Sequence, residues 1–107
     1  MPVAALDDPI LKRFRAALDE LYGGRIERVV LYGSHGRGDY REDSDYDVAV
    51  FLHGPWDWHN DRRRIAEIET EIIYQTGAVI SAQLFPAKAY EKRTGFMLEV
   101  RLDGIDL

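Results

Sequence analysis

With 107 residues and no cysteine, the chain is expected to form one domain around a modest core, with neither a disulfide framework nor a thiolate metal site. Its hydrophobic (46%) and charged (31%) fractions are those of an ordinary globular protein, and a net charge of -5 argues against bulk nucleic-acid binding, which needs a basic face. No apolar run approaches the roughly 20 residues of a membrane span, and Asp7, Asp8, Lys12, Arg13 and Arg15 break up the start too thoroughly for a signal peptide, so a cytoplasmic protein is expected.

Asp8-Pro9 predicts a helix start, with the carboxylate capping and proline at the first helical position. Leu11, Phe14, Leu18 and Leu21 then recur at helical spacing until Gly23-Gly24 stops the helix. Arg25 to Tyr32 reads as a first strand, apolar enough at Val29, Val30 and Leu31 to be covered on both faces. A glycine-rich turn over 33–38, with room for one helical turn, and a polar loop over 39–44 lead to a second strand from Asp45 to Leu52. Trp56-Asp57-Trp58-His59 is expected as an aromatic loop. A long helix follows from Asn60 or Asp61 to Thr76, burying Ile65, Ile68, Ile72 and Ile73 or Tyr74, with Gly77 as its stop. Val79 to Phe85 forms a third strand, Pro86 to Lys92 a short helical stretch, and Phe96 onward a last helix ending near Gly104. This order predicts a small α/β sheet with helices packed on it. The first two strands pair antiparallel, since the connection is too short for a crossover helix of a dozen residues.

The chemistry concentrates in residues 33–47. Gly33, Gly36 and Gly38 permit unusual backbone angles and let N–H groups approach an anion; Ser34 adds a hydroxyl, and Arg37 a bidentate cation. Any helical turn beginning after Ser34 presents further free N–H groups. Asp45 and Asp47 are two apart on a strand, so both side chains leave the same face, with α-carbons roughly 6.5 Å apart. Two carboxylates there suit a hard cation that completes its shell with substrate phosphates. Ser44 is placed to brace the loop before them by a side-chain to backbone bond.

Gly33-Ser34, ten intervening residues, then Asp45-Tyr46-Asp47 resembles the signature of the DNA polymerase β nucleotidyltransferase superfamily. With Arg37-Gly38 and Ser44 added, it looks specifically like the minimal nucleotidyltransferases (MNT), short single-domain proteins usually encoded beside a HEPN protein. The resemblance implies a polymerase β-like α/β fold with a small mixed sheet over residues 1–107. It also implies a Mg2+-dependent transfer of AMP from ATP to a hydroxyl, typically a tyrosine, of a HEPN toxin, the two proteins forming a hetero-oligomer. Gly33, Ser34 and Arg37 would then bind nucleotide, while Asp45 and Asp47 would be the metal ligands and catalytic acids.

Members of this superfamily usually present a third carboxylate from the strand after the long helix. Here that strand carries no acid: Ser81 or Gln83 takes the position, and neither replaces a charged ligand or a general base well. Glu67, Glu69 and Glu71 on the preceding helix read as its solvated face. The alternative expectation is therefore a binding module that neutralises a HEPN partner by complex formation, with little or no catalysis. Trp56 and Trp58 are expected to cap the sheet or meet a partner, with nucleobase stacking as the alternative, Arg62-Arg63-Arg64 to form a solvated basic face, with a contact for RNA or an acidic partner as the alternative, and His35 to sit exposed in the loop or touch a phosphate. Phe96, Met97 and Leu98 are expected either in the core or on a partner surface.

Overall fold

The structure, a computed structural model, describes residues 5–41 and 44–107. Asp8 caps helix α1 (Pro9–Tyr22), its Oδ1 accepting from the backbone N–H of Ile10 at 2.8 Å and of Leu11 at 3.4 Å. Its other carboxylate oxygen accepts from the Tyr46 hydroxyl at 2.7 Å. One side chain thus serves both the helix start and the strand 38 residues away. Asp8→Ala is expected to lower stability by about 1–2 kcal/mol, the usual cost of losing a cap, as measured by urea denaturation.

Strand β1 (Ile26–Tyr32) enters a single helical turn, α2 (Gly33–Arg37), and strand β2 (Tyr46–Leu52) runs back antiparallel, with Val29 opposite Val50 and Tyr32 opposite Asp47. Helix α3 (Trp58–Thr76) supplies the crossover that a parallel neighbour requires, delivering strand β3 (Ile80–Pro86) alongside β2 with Asp47 opposite Ser81. Helix α4 (Gly95–Asp103) then leads into β4 (Ile105–Asp106), which pairs antiparallel with Val30 and Leu31. The sheet order is β3-β2-β1-β4, a mixed sheet. The antiparallel pairing of the first two strands is as expected. Strand β4 was not anticipated, because two residues carry no readable alternation.

Alternation along the strands sorts the core into two layers. Val29, Leu31, Val48, Val50, Leu52, Ile80 and Leu84 face α1 and α3, meeting Leu11, Phe14, Leu18, Ile65 and Ile72. Val30, Tyr32, Ala49 and Phe51 face the other way, meeting Ala89, Met97 and Val100. Asp47 belongs by parity to this second face, two residues before Ala49. It lies where the apolar surface runs out at the end of the sheet.

Several expectations are corrected. Helix α3 starts two or three residues early, with Asp57 as its cap accepting from Asn60 N–H at 3.3 Å. Trp58 and His59 are therefore helical, and Trp58 packs partly into the core rather than belonging to a loop. Neither Ile73 (44% exposed) nor Tyr74 (89% exposed) joins the buried stripe, since Asp61, Ile65, Ile68 and Ile72 complete it at the 3–4-residue spacing. Glu69 is not on the solvated face: it is half-buried and accepts the outward N–H of Ala82 on the edge strand β3 at 3.0 Å. Burial pushes its carboxyl up while that bond pulls it down. Asp45 precedes β2 rather than opening it, and Val79 precedes β3. Of the expected loop over 39–44, Glu42 and Asp43 lie outside the described residues. No helix among the described residues is long and apolar enough to cross a membrane.

Candidate nucleotide and metal site

Antiparallel pairing makes neighbours of the residues nearest the connection in each strand. Tyr32 stands opposite Asp47, so Gly33, the next residue after Tyr32, arrives beside the Asp47 carboxylate. A β-carbon on Gly33 would lie 2.5 Å from Asp47 Oδ2, closer than any side chain tolerates, and the backbone there has φ of +69°. Glycine is demanded twice at this position, by conformation and by contact. The turn closes at Gly38, with φ of +85°, whose N–H donates to the Ser34 carbonyl at 2.9 Å. Gly36 has a different reason. Its φ is ordinary, but a β-carbon would meet the Asp103 carbonyl oxygen at 2.6 Å and that of Leu31 at 2.9 Å. It is a packing glycine between β1 and α4.

Asp47 is half-buried, and its carboxyl is raised above the usual carboxylate range. Desolvation is the main cause, followed by the negative charge of Asp45, with Glu99 adding to it; His35 and Arg37 pull the other way. Tyr32 beneath it is pushed up to about 12 by burial, then by Asp47 and Glu99. Ionised carboxylates with too little compensation form the electrostatic ground on which a divalent cation is held. Among the described residues no three His, Asp or Glu side chains converge on one point. The donor set fits a cation held by two carboxylates that takes its remaining ligands from phosphate and water.

Arg37 is exposed and doubly paired, its Nε 3.2 Å from Asp39 Oδ2 and its Nη1 3.3 Å from Asp103 Oδ2. It ties the turn to α4. Ser44 braces the loop as expected: its Oγ accepts from Arg41 N–H at 2.9 Å and its own N–H donates to the Arg41 carbonyl at 3.0 Å. His35 is not exposed but 9% accessible. On β3, Ser81 stands directly opposite Asp47, with Gln83 opposite Ala49. The position beside the acid pair is thus taken by a hydroxyl.

Sequence reasoning missed helix α4 as a wall of the site. Phe96 packs edge-on against Tyr32 at 5.4 Å, and Asp103 pairs with Arg37. Glu99 lies between them on the same helix face, at i+3 from one and i-4 from the other. The 96, 99, 103 spacing was available in the sequence. What that face touches was not. Trp56 and Trp58 stack on each other at 5.7 Å, with Trp56 Nε1 donating to the Leu52 carbonyl at 2.8 Å, which ties them to the end of β2 away from the acids.

Comparison with known proteins bears on the family and the fold. Residues 11–93 match the family described as "Nucleotidyltransferase domain". Two proteins of Methanocaldococcus jannaschii are similar to the chain. "Putative protein adenylyltransferase MJ0604" is 30% identical over 87 residues, 81% of each chain, and "Putative protein adenylyltransferase MJ0141" is 26% identical over 98 residues, 92% of this chain and 95% of that one. Among solved structures, a chain of a toxin-antitoxin crystallised with AMP-PNP superposes with a TM-score of 0.63 at 16% identity, covering 89% of this chain and 69% of that one. A mutant of the toxin-antitoxin MntA-HpeT superposes equally well at 14% identity and the same coverage, so the two share the fold. The motif, the mixed sheet and the sequence match together make this chain a member of the nucleotidyltransferase domain family.

Proposed function

We propose that this chain, acting as a single minimal domain in the cytoplasm, transfers AMP from ATP to a hydroxyl, typically a tyrosine, of a partner protein, in a Mg2+-dependent reaction. The observation that carries the reading is the contact of Gly33 with Asp47, which puts the glycine turn and the acid pair at one point. Similarity to two proteins named as adenylyltransferases supports protein as the acceptor class. The likeness of fold to chains of toxin-antitoxin structures supports a toxin as the partner, in a hetero-oligomer; the HEPN class rests on the resemblance of the motif to the minimal nucleotidyltransferases.

In this reading Gly33 and Ser34 bind the triphosphate, the glycine through its backbone and the serine through its hydroxyl. Asp45 and Asp47 would hold Mg2+, which when bound neutralises charge developing between the α-phosphate and the departing pyrophosphate. Arg37 reaches a phosphate by exchanging its Asp39 and Asp103 partners for it. The acceptor oxygen bonds to the α-phosphorus as the bond to pyrophosphate breaks, and the hydroxyl proton is released. Ser81 supplies no base for that proton, so a carboxylate of the acid pair or water takes it.

A second reading is favoured by the same Ser81: a stoichiometric inhibitor that neutralises a HEPN partner by complex formation. Leu98 (51% exposed) and Leu102 (75% exposed), one turn apart on α4, offer that reading an apolar surface. Incubation with the product of the adjacent gene, labelled ATP and Mg2+ separates the two. Label on the partner, lost in Asp45→Asn, supports transfer. Absence of label, with neutralisation retained by the Asp45→Asn, Asp47→Asn double variant, supports the inhibitor and rejects the enzyme.

A further inference from the structure

His35 stands between Ser34 and Gly36 inside the signature, and its side chain packs into the loop that leads to the acids. Its ring lies flat between two tyrosines: Tyr40 at 4.1 Å and 17° on one side, Tyr46 at 4.0 Å and 16° on the other. Its Nε2 donates to the Ser44 carbonyl at 3.1 Å, which fixes a proton on that nitrogen. With 9% of its surface accessible, it is one of two buried polar or charged residues among those described.

The partners matter more than the burial. Tyr46 precedes Asp47 in β2, so its side chain leaves the strand on the face opposite that carboxylate. It is anchored there by the Asp8 cap of α1. Ser44 is the residue before Asp45. A single imidazole on the turn therefore grips the strand from behind Asp47 and holds the peptide that leads into Asp45. It does so across the ten-residue spacer, which brings no regular structure of its own between Gly38 and Tyr46 among the described residues. Asp45 lies just outside β2, and the Tyr46 N–H that follows it donates to the Val79 carbonyl at 2.9 Å, so the His35 bond to Ser44 holds the other side of the same residue.

We propose that His35 is a positioning residue that sets Asp45 relative to Asp47, through its hydrogen bond to the Ser44 carbonyl, and so sets the affinity of the site for metal-nucleotide. This rests on the nucleotidyl-transfer reading above. The stack locates the ring, and the N–H delivers the constraint to the loop. Partners that orient metal ligands in this way are commonly worth 10–100-fold in affinity.

Two substitutions separate donor from ring. His35→Phe keeps an aromatic between the tyrosines and removes the donor; His35→Gln removes the ring and keeps an amide N–H close to where Nε2 stands. The readout is Mn2+ affinity in the presence of a non-hydrolysable ATP analogue, measured by the loss of free-ion EPR signal, with folding checked by thermal melting. His35→Phe is expected to bind Mn2+ about 10–100-fold more weakly than wild type, and His35→Gln to within a few-fold of it. The reverse order, with His35→Phe intact and His35→Gln impaired, would mean that the ring only packs, and would overturn the proposal. Equal affinity in all three proteins does the same. If His35→Phe unfolds, His35→Gln decides alone, a tenfold loss despite the retained donor counting against. Wild type that binds no Mn2+ with the analogue rejects the nucleotidyl-transfer reading itself, and this proposal with it; wild-type binding unaffected by His35→Phe rejects only the proposal.

Discussion

Asp47→Asn is expected to abolish transfer while raising the melting temperature of the metal-free protein. The loss should be roughly 100-fold or more, because even outer partners of a metal ligand are worth 10–100-fold and this side chain is proposed as a ligand. The gain in stability follows from the raised carboxyl. Asp47 ionises at higher pH in the folded chain than in the unfolded one, because desolvation and the charge of Asp45 oppose it. A carboxyl raised in this way stabilises the fold when protonated, and that contribution is lost as pH rises through its folded-state value. At neutral pH the wild type carries the full cost of the buried charge, and the neutral, isosteric amide removes it. The melting temperature should rise by a few degrees at pH 7. The gap between variant and wild type should close as pH falls toward the ordinary carboxylate value of 3.8. Saturating Mg2+ and nucleotide should stabilise the wild type by about 2.7 kcal/mol at a hundred times the dissociation constant, and the variant much less. Scanning calorimetry at pH 4 and pH 7, with and without ligand, reads all four quantities. A variant less stable than wild type at neutral pH would contradict the electrostatic account.

Gly33→Ala is expected to cost function more than fold. The left-handed backbone imposes a strain of about 1–3 kcal/mol on any other residue. The new methyl would then meet Asp47 Oδ2 at 2.5 Å. That oxygen ends a rotatable side chain, so it moves before the strand does, and the acid pair loses its geometry. Mn2+ affinity with the ATP analogue should therefore fall by roughly 10–100-fold, alongside the modest loss of stability. Gly38→Ala is the control. It carries the same kind of strain at φ of +85°, but its β-carbon would meet nothing within 4 Å, so it should lose a similar amount of stability and little affinity. In an Asp47→Asn background, Gly33→Ala should add almost no further loss of affinity, since the two act through one carboxylate. Additive losses would mean that the glycine serves the site by some other contact.

The legibility of this chain in its sequence was uneven, for reasons that particular residues expose. Helix α1 was readable because its signals are local: Asp8-Pro9 caps it, Leu11, Phe14 and Leu18 recur at helical spacing, and Gly23 ends it. The antiparallel pairing of β1 and β2 was readable because the connection is too short for anything else. Strand β4 was not, because it exists only through its partners Val30 and Leu31. Glu69 looked solvated, since nothing within its own helix announces that the edge of β3 needs an acceptor for Ala82. The start of α3 was misplaced because Trp58 reads as a loop aromatic until the cap at Asp57 is seen to hold it.

The sequence by itself determined the class of the protein. Gly33, Ser34, Asp45 and Asp47 carried the resemblance to the family, because a glycine turn and two aspartates two residues apart are local patterns. The sequence also determined that the strand after α3 carries no acid. Only the tertiary structure decided which atoms meet. The β1–β2 register pressed Gly33 against Asp47, α4 closed over Tyr32 with Glu99 beside the acids, and His35 turned inward between Tyr40 and Tyr46. Tyr32 and Phe96 lie far apart in the chain, and even the contacts within residues 33–47 depend on burial and strand register, which the local pattern does not encode.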